Sequence, residues 1–232
     1  MNIRIKHRSS SRAVFFEVPP AIFRIERSPM IQAMKMSWMI DFRVVSNATK
    51  VRYSRDMIEL YIDADSCPKP LRAIILKAVT NRNLKAFFVA DRLLKDVRQA
   101  YEEHTALLRS AVEQPEERRM IKSPITMIVV ESGADQADRW IVDHASPDSL
   151  AITRDIILAD MLVKKGITVL DDRGNVFTNE NIAERLSLRN AMTTLREYGV
   201  FAEKHKPIGP KEIREFSAAF DRELAKALKQ KG

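Results

Sequence analysis

The sequence predicts an α/β fold in which a mostly parallel, about five-stranded sheet is covered by helices, with C-terminal helices appended. From residue 58 onward, short apolar runs alternate with segments of helical periodicity. Apolar residues make up 45% of the 232 residues, which is enough to bury a core. Alternation at this spacing is typical of βαβ units, whose right-handed crossovers place successive strands parallel.

The first half of this pattern contains three strands and two helices. Residues 58–63 form an apolar run that ends in an acid, which is typical of a buried strand. Residues 68–80 begin with a proline at a first-turn position and carry an apolar stripe, which indicates a helix. A strand at 84–90 precedes a charged helical pattern at 91–112, and the β-branched run at 125–130 predicts a third strand.

The second half is built from shorter elements and ends in helices. The same criteria predict two more strands, each of which follows a short helix. In chain order we expect a helix at 135–144, a strand at 149–152, a helix at 156–165, a strand at 167–170 and terminal helices at 179–198 and 210–229.

The basic charge of the chain is concentrated in its first 56 residues. The net charge is +8 and the isoelectric point is about 9.6. Residues 1–56 hold 11 Lys and Arg against 4 Asp and Glu, whereas residues 57–232 hold 28 against 27. The isoelectric point therefore describes the leader, and it says little about the partners of the remainder.

Three interpretations of residues 1–56 remain open: a transit-like segment, a basic arm for nucleic acid, or translated sequence upstream of a working start at Met57. We favour the third because the regular pattern begins abruptly at residue 58. The expected organisation is a disordered or non-native leader at 1–56, an α/β domain at 57–203 with an inserted helix near 92–122, and a linker with a C-terminal helix at 204–232 that packs on the same domain.

Composition excludes several classes of protein. A single cysteine, Cys67, rules out intrachain disulfides and cysteine-only zinc sites and is typical of a reducing compartment, so we expect a cytoplasmic protein. Four scattered histidines argue against a His-rich zinc enzyme. No stretch approaches about 18 uninterrupted apolar residues, so we expect no membrane span.

Acidic residues follow the predicted strands, at the edge where open α/β sheets bind ligands. Carboxylates that converge there repel one another unless protons or a cation lie between them. Mg²⁺ and Mn²⁺ prefer oxygen ligands and can activate water against a phosphodiester. The sequence therefore suggests metal-dependent phosphodiester hydrolysis. The acids concerned are Asp63, Asp65, Asp91, Asp135, Asp138, Asp155, Asp171 and Asp172.

A structural role competes with this interpretation for some of these acids. Asp135 and Asp155 each precede a predicted helix and could be its N-cap, and Asp138 would lie in a first turn. Asp63 differs because it ends an apolar strand, where a carboxylate without a partner is costly. We therefore regard Asp63 and its neighbour Asp65 as functional.

The ordered motifs of the chain resemble the YaiI/YqxD family of uncharacterised bacterial proteins. They are YIDADSCP, GADQAD, ITRDIILA, RGNVFTNENI and RNAMTTLREYG, and they span about residues 57–232 apart from the stretch between the second and third strands. The resemblance implies a three-layer PIN-like domain, the fold of many metal-dependent ribonucleases, with converging acids. It implies no proven activity, because the family has none assigned.

Carried over residue by residue, the resemblance assigns the paired aspartates to Asp63 and Asp65, and Thr-x-Asp to Thr153 and Asp155. The remaining matches are Cys67, Pro68, Gly133, Asp135, Ala137, Asp138, Arg173, Gly174, Asn181, Ile182, Arg189 and Arg196. The chain departs from the family at Ser66, where alanine is usual, at Asp91, where asparagine is usual, and in the longer segment at 92–122.

These observations predict a PIN-like protein that binds Mg²⁺ or Mn²⁺ and hydrolyses RNA or another phosphate-containing substrate. We expect Asp63, Asp65, Asp135 and Asp155 to be catalytic, and the same four acids with Asp138 to be metal ligands. Thr153, Arg173, Arg189 and Arg196 are the expected substrate-binding residues. Two alternatives remain open: a haloacid-dehalogenase-like phosphatase with Asp63 as nucleophile, and a non-catalytic RNA-binding or regulatory module. The sequence does not predict an oligomeric state.

Overall fold

The computed structural model describes residues 57–82, 84–199 and 207–231 of the chain. The leader at 1–56 and residues 204–206 of the predicted linker lie outside the described residues. The six strands are β1 (Glu59–Asp63), β2 (Lys85–Ala90), β3 (Ile125–Val129), β4 (Leu150–Ile152), β5 (Thr168–Leu170) and β6 (Val176–Phe177). The helices are α1 (Lys69–Asn81), α2 (Lys95–Ser110), α3 (Pro115–Met120), α4 (Gln136–His144), α5 (Ile156–Lys164), α6 (Asn179–Glu197) and α7 (Pro210–Lys231).

The strands form one sheet in the order β3-β2-β1-β4-β5-β6, and only β5 and β6 pair antiparallel. Leu60 is paired with Ala86 of β2 on one side and with Leu150 of β4 on the other. The chain builds β1 to β3 in one direction and then returns to add β4 on the far side of β1. The order therefore reverses between β1 and β4, and a crevice at the carboxyl ends of these two strands is the expected ligand site of such a sheet.

Helices cover both faces of the sheet. One face of β1, which includes Leu60 and Ile62, packs with residues of α1, α2 and α7. The opposite face, which includes Tyr61, packs with residues of α4, α5 and α6. The predicted α/β class and the mostly parallel sheet covered by helices are confirmed.

The C-terminal helix α7 completes the first of these two cores. Phe216, Phe220 and Leu224 are almost fully buried and belong to the same apolar cluster as β1. The turn before β6 packs closely against this helix. Gly174 has a φ of +83°, and a Cβ there would lie 2.7 Å from the carbonyl oxygen of Glu215. Only glycine satisfies both the left-handed backbone and this close approach.

The structure differs from the sequence prediction at two places. The sheet has six strands, because β6 is a two-residue strand that is too short to show a period. The helix predicted at 91–112 begins only at Lys95, after the buried and extended residue Leu94, and a separate helix begins at Pro115. No helix among the described residues is long and apolar enough to cross a membrane.

Candidate functional site

Two buried polar residues meet at the carboxyl ends of β1 and β4, where a sheet of this order is expected to bind its ligand. Asp63 ends β1 and is 6% exposed, and Thr153 follows β4 and is 2% exposed. The Thr153 hydroxyl donates a hydrogen bond to Asp63 Oδ2 at 2.8 Å. The two residues are 90 positions apart in sequence, and the pairing of β1 with β4 brings them together.

Asp63 is held by a second hydroxyl group on the same oxygen. Ser66 Oγ donates to Asp63 Oδ2 at 2.6 Å, while Oδ1 accepts only a long contact of 3.4 Å from the Ser66 backbone N–H. Ser66 Oγ also accepts a hydrogen bond from the Arg154 N–H at 3.3 Å, and Thr153 Oγ1 accepts one from the Asp155 N–H at 2.9 Å. Both hydroxyls therefore have a donor and an acceptor role, and Asp63 Oδ1 retains capacity for a ligand.

Asp138, in the first turn of α4, brings a second carboxylate to the crevice. Its pKa is raised from 3.8 to about 6, first by burial and then, in decreasing order, by the neighbouring charges of Asp63, Asp155 and Asp135. Every charge that perturbs Asp138 is thus another carboxylate. Carboxylates that follow β1, β3 and β4 therefore all act on Asp138.

Asp155 and Asp135 behave differently at the starts of their helices. The Asp155 carboxylate caps α5 by accepting hydrogen bonds from the N–H groups of Ile157, at 2.6 Å, and Leu158, at 3.4 Å. The capping interpretation of Asp155 is confirmed. Asp135 has a left-handed backbone with φ 61° and makes no side-chain cap, so the capping interpretation is wrong there. Its exposed carboxylate is not used by the helix.

Asp65 points to the β2 side of the crevice and belongs to a second group of charges. Its Oδ2 accepts a hydrogen bond from the Asp91 N–H at 2.8 Å, and Arg92 Nη1 lies 3.1 Å from its Oδ1. The same Arg92 nitrogen lies 3.0 Å from Asp91 Oδ1. Burial raises the pKa of Asp65, with smaller contributions from the carboxylates of Asp91 and Asp63.

On the β5 side, Arg154 Nε lies 3.0 Å from Asp172 Oδ2. Asp171 instead shapes the turn, since its carboxylate accepts hydrogen bonds from the backbone N–H groups of Arg173 and Asn175. Cys67, in the loop after β1, is buried, and this burial raises the pKa of its thiol to about 12. A neutral, buried thiol is a poor nucleophile, which argues against catalysis by Cys67.

The donor set suits a hydrated Mg²⁺ or Mn²⁺ better than a cation enclosed by protein. In the part of the chain that the structure describes, no group of three or more His, Cys, Asp or Glu side chains is arranged to hold a metal ion. Mg²⁺ is usually bound through one or two carboxylates and keeps several waters. Asp155 and Asp65 are engaged in other contacts, so Asp63 Oδ1 and the Asp138 carboxylate are the oxygens that would have to hold such an ion.

The three arginines predicted to bind substrate lie in two places. Arg173 is exposed in the turn between β5 and β6, and its charge acts on Asp172. Arg189 is half-buried on α6, and Arg196 lies in the last turn of that helix. Arg185 of α6 lies 3.9 Å from Asp171 and stacks over Phe177.

Sequence reasoning did not identify Ser66 and the arginines Arg92 and Arg154 as members of the site. Ser66 was noted only as a departure from the family, although its hydroxyl contacts Asp63. Each arginine directly follows a residue that was identified, namely Asp91 and Thr153. The sequence shows only that each arginine lies next to a polar residue that follows a strand. It does not show which way the long arginine side chain points.

Comparison with known proteins agrees with the motifs. Residues 111–226 match the family described as uncharacterized, the YaiI/YqxD family. A UPF0178 protein of Myxococcus xanthus is 40% identical over 172 residues, which cover 74% of this chain and 97% of the relative. The chain belongs to the YaiI/YqxD family.

Other YaiI/YqxD relatives are similar over the same extent. A UPF0178 protein of Syntrophobacter fumaroxidans is 35% identical, covering 75% of this chain and 99% of the relative. One from Treponema denticola is 37% identical, covering 75% of this chain and 96% of the relative. No solved structure matches the chain. The resemblance drawn from the motifs is thereby confirmed.

Proposed function

We propose that this YaiI/YqxD protein is a divalent-metal-dependent nuclease that hydrolyses phosphodiester bonds in RNA or a related nucleic acid. The observation that carries the proposal is the raised pKa of Asp138. It reflects repulsion between carboxylates that follow different strands, close to the place where the strand order reverses between β1 and β4. A fold keeps such a cluster at a cost, and a bound cation offsets that cost.

In the proposed site, Asp63 Oδ1 and Asp138 hold Mg²⁺ or Mn²⁺ together with waters. Bound there, the metal supplies an activated water and neutralises charge on the phosphoryl oxygens. Thr153 and Ser66 fix the Asp63 carboxylate by hydrogen-bonding its other oxygen, Oδ2, which leaves Oδ1 for the ion. Asp135 lies near Asp138 with its carboxylate not used as a cap, so it is available to orient a water.

The loop after β1 favours this proposal over the phosphatase alternative. Phosphatases of the haloacid-dehalogenase kind carry a flap after the strand that bears the nucleophile. Here only residues 64–68 separate β1 from α1, and Arg72 of α1 donates a hydrogen bond back to the Cys67 carbonyl. This short, tethered loop leaves no room for a flap.

The proposal is tested by titrating Mn²⁺ into the full-length protein and measuring the heat of binding. We expect Asp63→Asn to weaken Mn²⁺ binding by at least about tenfold while the variant stays folded, since it removes one charged ligand. Asp143→Asn is the matched control, because Asp143 is exposed on the same helix as Asp138. If Asp63→Asn only unfolds the protein, or leaves Mn²⁺ affinity unchanged, the metal assignment is wrong.

Cleavage of a labelled single-stranded RNA in Mn²⁺ is the second measurement. Wild type and Asp63→Asn are purified identically, so that a contaminating nuclease would appear in both. Equal cleavage by the two preparations would refute the nuclease activity, whereas metal binding without cleavage would favour the non-catalytic module.

A further inference from the structure

We propose that Arg92 and Arg154 bind the phosphates on either side of the scissile bond, so that the substrate is a nucleic-acid strand rather than a mononucleotide or phosphomonoester. This inference rests on the proposed nuclease function. It names the substrate class of that site and two residues that recognise it.

The sheet order places one arginine on each side of Asp63. Arg92 follows β2 and Arg154 follows β4, while Asp63 ends β1, which lies between these two strands. Neighbouring strands are about 4.8 Å apart, so the two backbones are separated by roughly 10 Å along the carboxyl edge of the sheet. A ligand centred on Asp63 therefore has a guanidinium group within reach on either side.

Arg92 is held by acids but keeps most of its hydrogen-bonding capacity. One of its terminal nitrogens contacts both Asp65 and Asp91, at 3.1 and 3.0 Å. The side chain is 63% exposed. A guanidinium group has five N–H donors in a planar fork, so further donors remain for a phosphate.

Arg154 is fixed at two points next to the catalytic carboxylate. Its backbone N–H donates to Ser66 Oγ, the hydroxyl that contacts Asp63, and its Nε lies 3.0 Å from Asp172 Oδ2. The side chain is 41% exposed. The Nε contact orients the guanidinium group, and its terminal nitrogens remain for a second phosphate.

The chemistry of this pair selects a strand. A planar guanidinium group binds a phosphate through two parallel hydrogen bonds. A phosphomonoester or a nucleoside monophosphate carries a single phosphate, which lies at the centre, so it has no further phosphates for the two flanking arginines. A strand carries phosphates on both sides of the bond above Asp63, so it engages both, and each contact adds to affinity without reading the bases.

The test measures binding of a fluorescein-labelled, single-stranded oligoribonucleotide of about 12 nucleotides in EDTA, over a range of salt concentrations. Loss of one phosphate contact lowers the slope of log K against log salt by about 0.7 for a single strand. We expect this decrease for Arg92→Gln and for Arg154→Gln, and about twice that for the double variant. Arg154→Lys is expected to keep the slope because it keeps the charge.

Arg98→Gln is the matched control. Arg98 is 47% exposed and pairs with Glu102 at 2.8 Å, much as Arg154 pairs with Asp172, but it lies on α2. The basic leader is present in every variant and contributes equally to each slope. If the two arginine variants show the same slope as Arg98→Gln, or if wild type binds no strand, the assignment of Arg92 and Arg154 is overturned.

Repeating the measurements in Mn²⁺ separates this inference from the proposed function. Reduced slopes without any cleavage support the arginine pair and overturn the nuclease activity. Cleavage that depends on Asp63, with unchanged slopes and an unchanged KM in the arginine variants, supports the nuclease and overturns the pair. If both proposals are right, Asp63-dependent cleavage is present and each arginine variant raises the KM for the strand by a larger factor than the KM for a dinucleotide, which has no flanking phosphates.

Discussion

Asp138→Asn provides a quantitative test of the electrostatic strain in the crevice. In the metal-free protein, burial and three neighbouring carboxylates raise the pKa of Asp138 from 3.8 to about 6. At about 1.4 kcal/mol for each pKa unit this shift corresponds to about 3 kcal/mol, and the partial exposure of the side chain reduces it to about 1.5 kcal/mol. Asparagine has a similar shape and carries no charge.

The direction of the effect follows from proton linkage. The pKa is higher in the folded than in the unfolded chain, so protonation of Asp138 stabilises the fold. The contribution of this protonation to the free energy of unfolding is fully present below about pH 4 and is lost as the pH rises through about 6. At about pH 7.5 in EDTA we expect Asp138→Asn to be more stable than wild type by about 1.5 kcal/mol, or roughly 3–6 °C in Tm. At about pH 4 the difference should nearly vanish.

The assay is thermal unfolding followed by circular dichroism at both pH values, with Asp143→Asn as the control on the same helix. Excess Mn²⁺ should reverse the order at neutral pH, because a bound ligand stabilises the wild type more than a variant lacking one ligand. If Asp138→Asn is less stable than wild type at both pH values in EDTA, or if it behaves like Asp143→Asn, the explanation from carboxylate repulsion is wrong.

Two further predictions concern the backbone and the hydroxyl pair. Gly174→Ala should lower the free energy of unfolding in urea by about 2–4 kcal/mol, because the new Cβ would meet the backbone of α7. Gly166 is the control: its φ is similar, at +78°, but a Cβ there meets no atom within 4 Å, so Gly166→Ala should cost only about 1 kcal/mol. Equal losses would refute the close contact. Thr153→Val should lower the free energy of unfolding by about 1–3 kcal/mol, because it removes the hydroxyl partner of Asp63 Oδ2 and of the Asp155 N–H. Ser66→Ala should lower it by less than about 1 kcal/mol, because water can reach this half-buried position. The reverse order in the same unfolding assay would contradict this.

The helices and strands that form the layers could be predicted because each shows its own repeat of apolar residues along the sequence. Apolar runs and amphipathic stripes were long enough at β1, α1 and β2 to identify type and approximate position. The strand β6 could not be found, since two residues show no period and its pairing depends on the turn at 171–175. Its formation depends on pairing with β5 across that turn, which the Asp171 carboxylate holds.

The candidate site was predictable in composition and not in its contacts. Acids that follow strands made Asp63 and Asp138 candidates, because parallel strands bring their carboxyl ends to the same edge of the sheet. Two helix starts with the same residue type proved different: Asp155 caps α5, while the left-handed backbone of Asp135 prevents it from capping α4. Backbone dihedrals of this kind depend on the loop, so residue type alone does not reveal them.

The burial of Phe216, Phe220 and Leu224 of α7 against the face of β1 has a consequence for biosynthesis. Among the described elements β1 is translated first, and α7, which completes the cover of its face, follows about 150 residues later. Until α7 emerges, only α1 and α2 can cover this face, and the apolar surface that α7 buries stays exposed, which is the kind of surface that chaperones recognise. Maturation of this half of the molecule is therefore completed only after synthesis has passed residue 224.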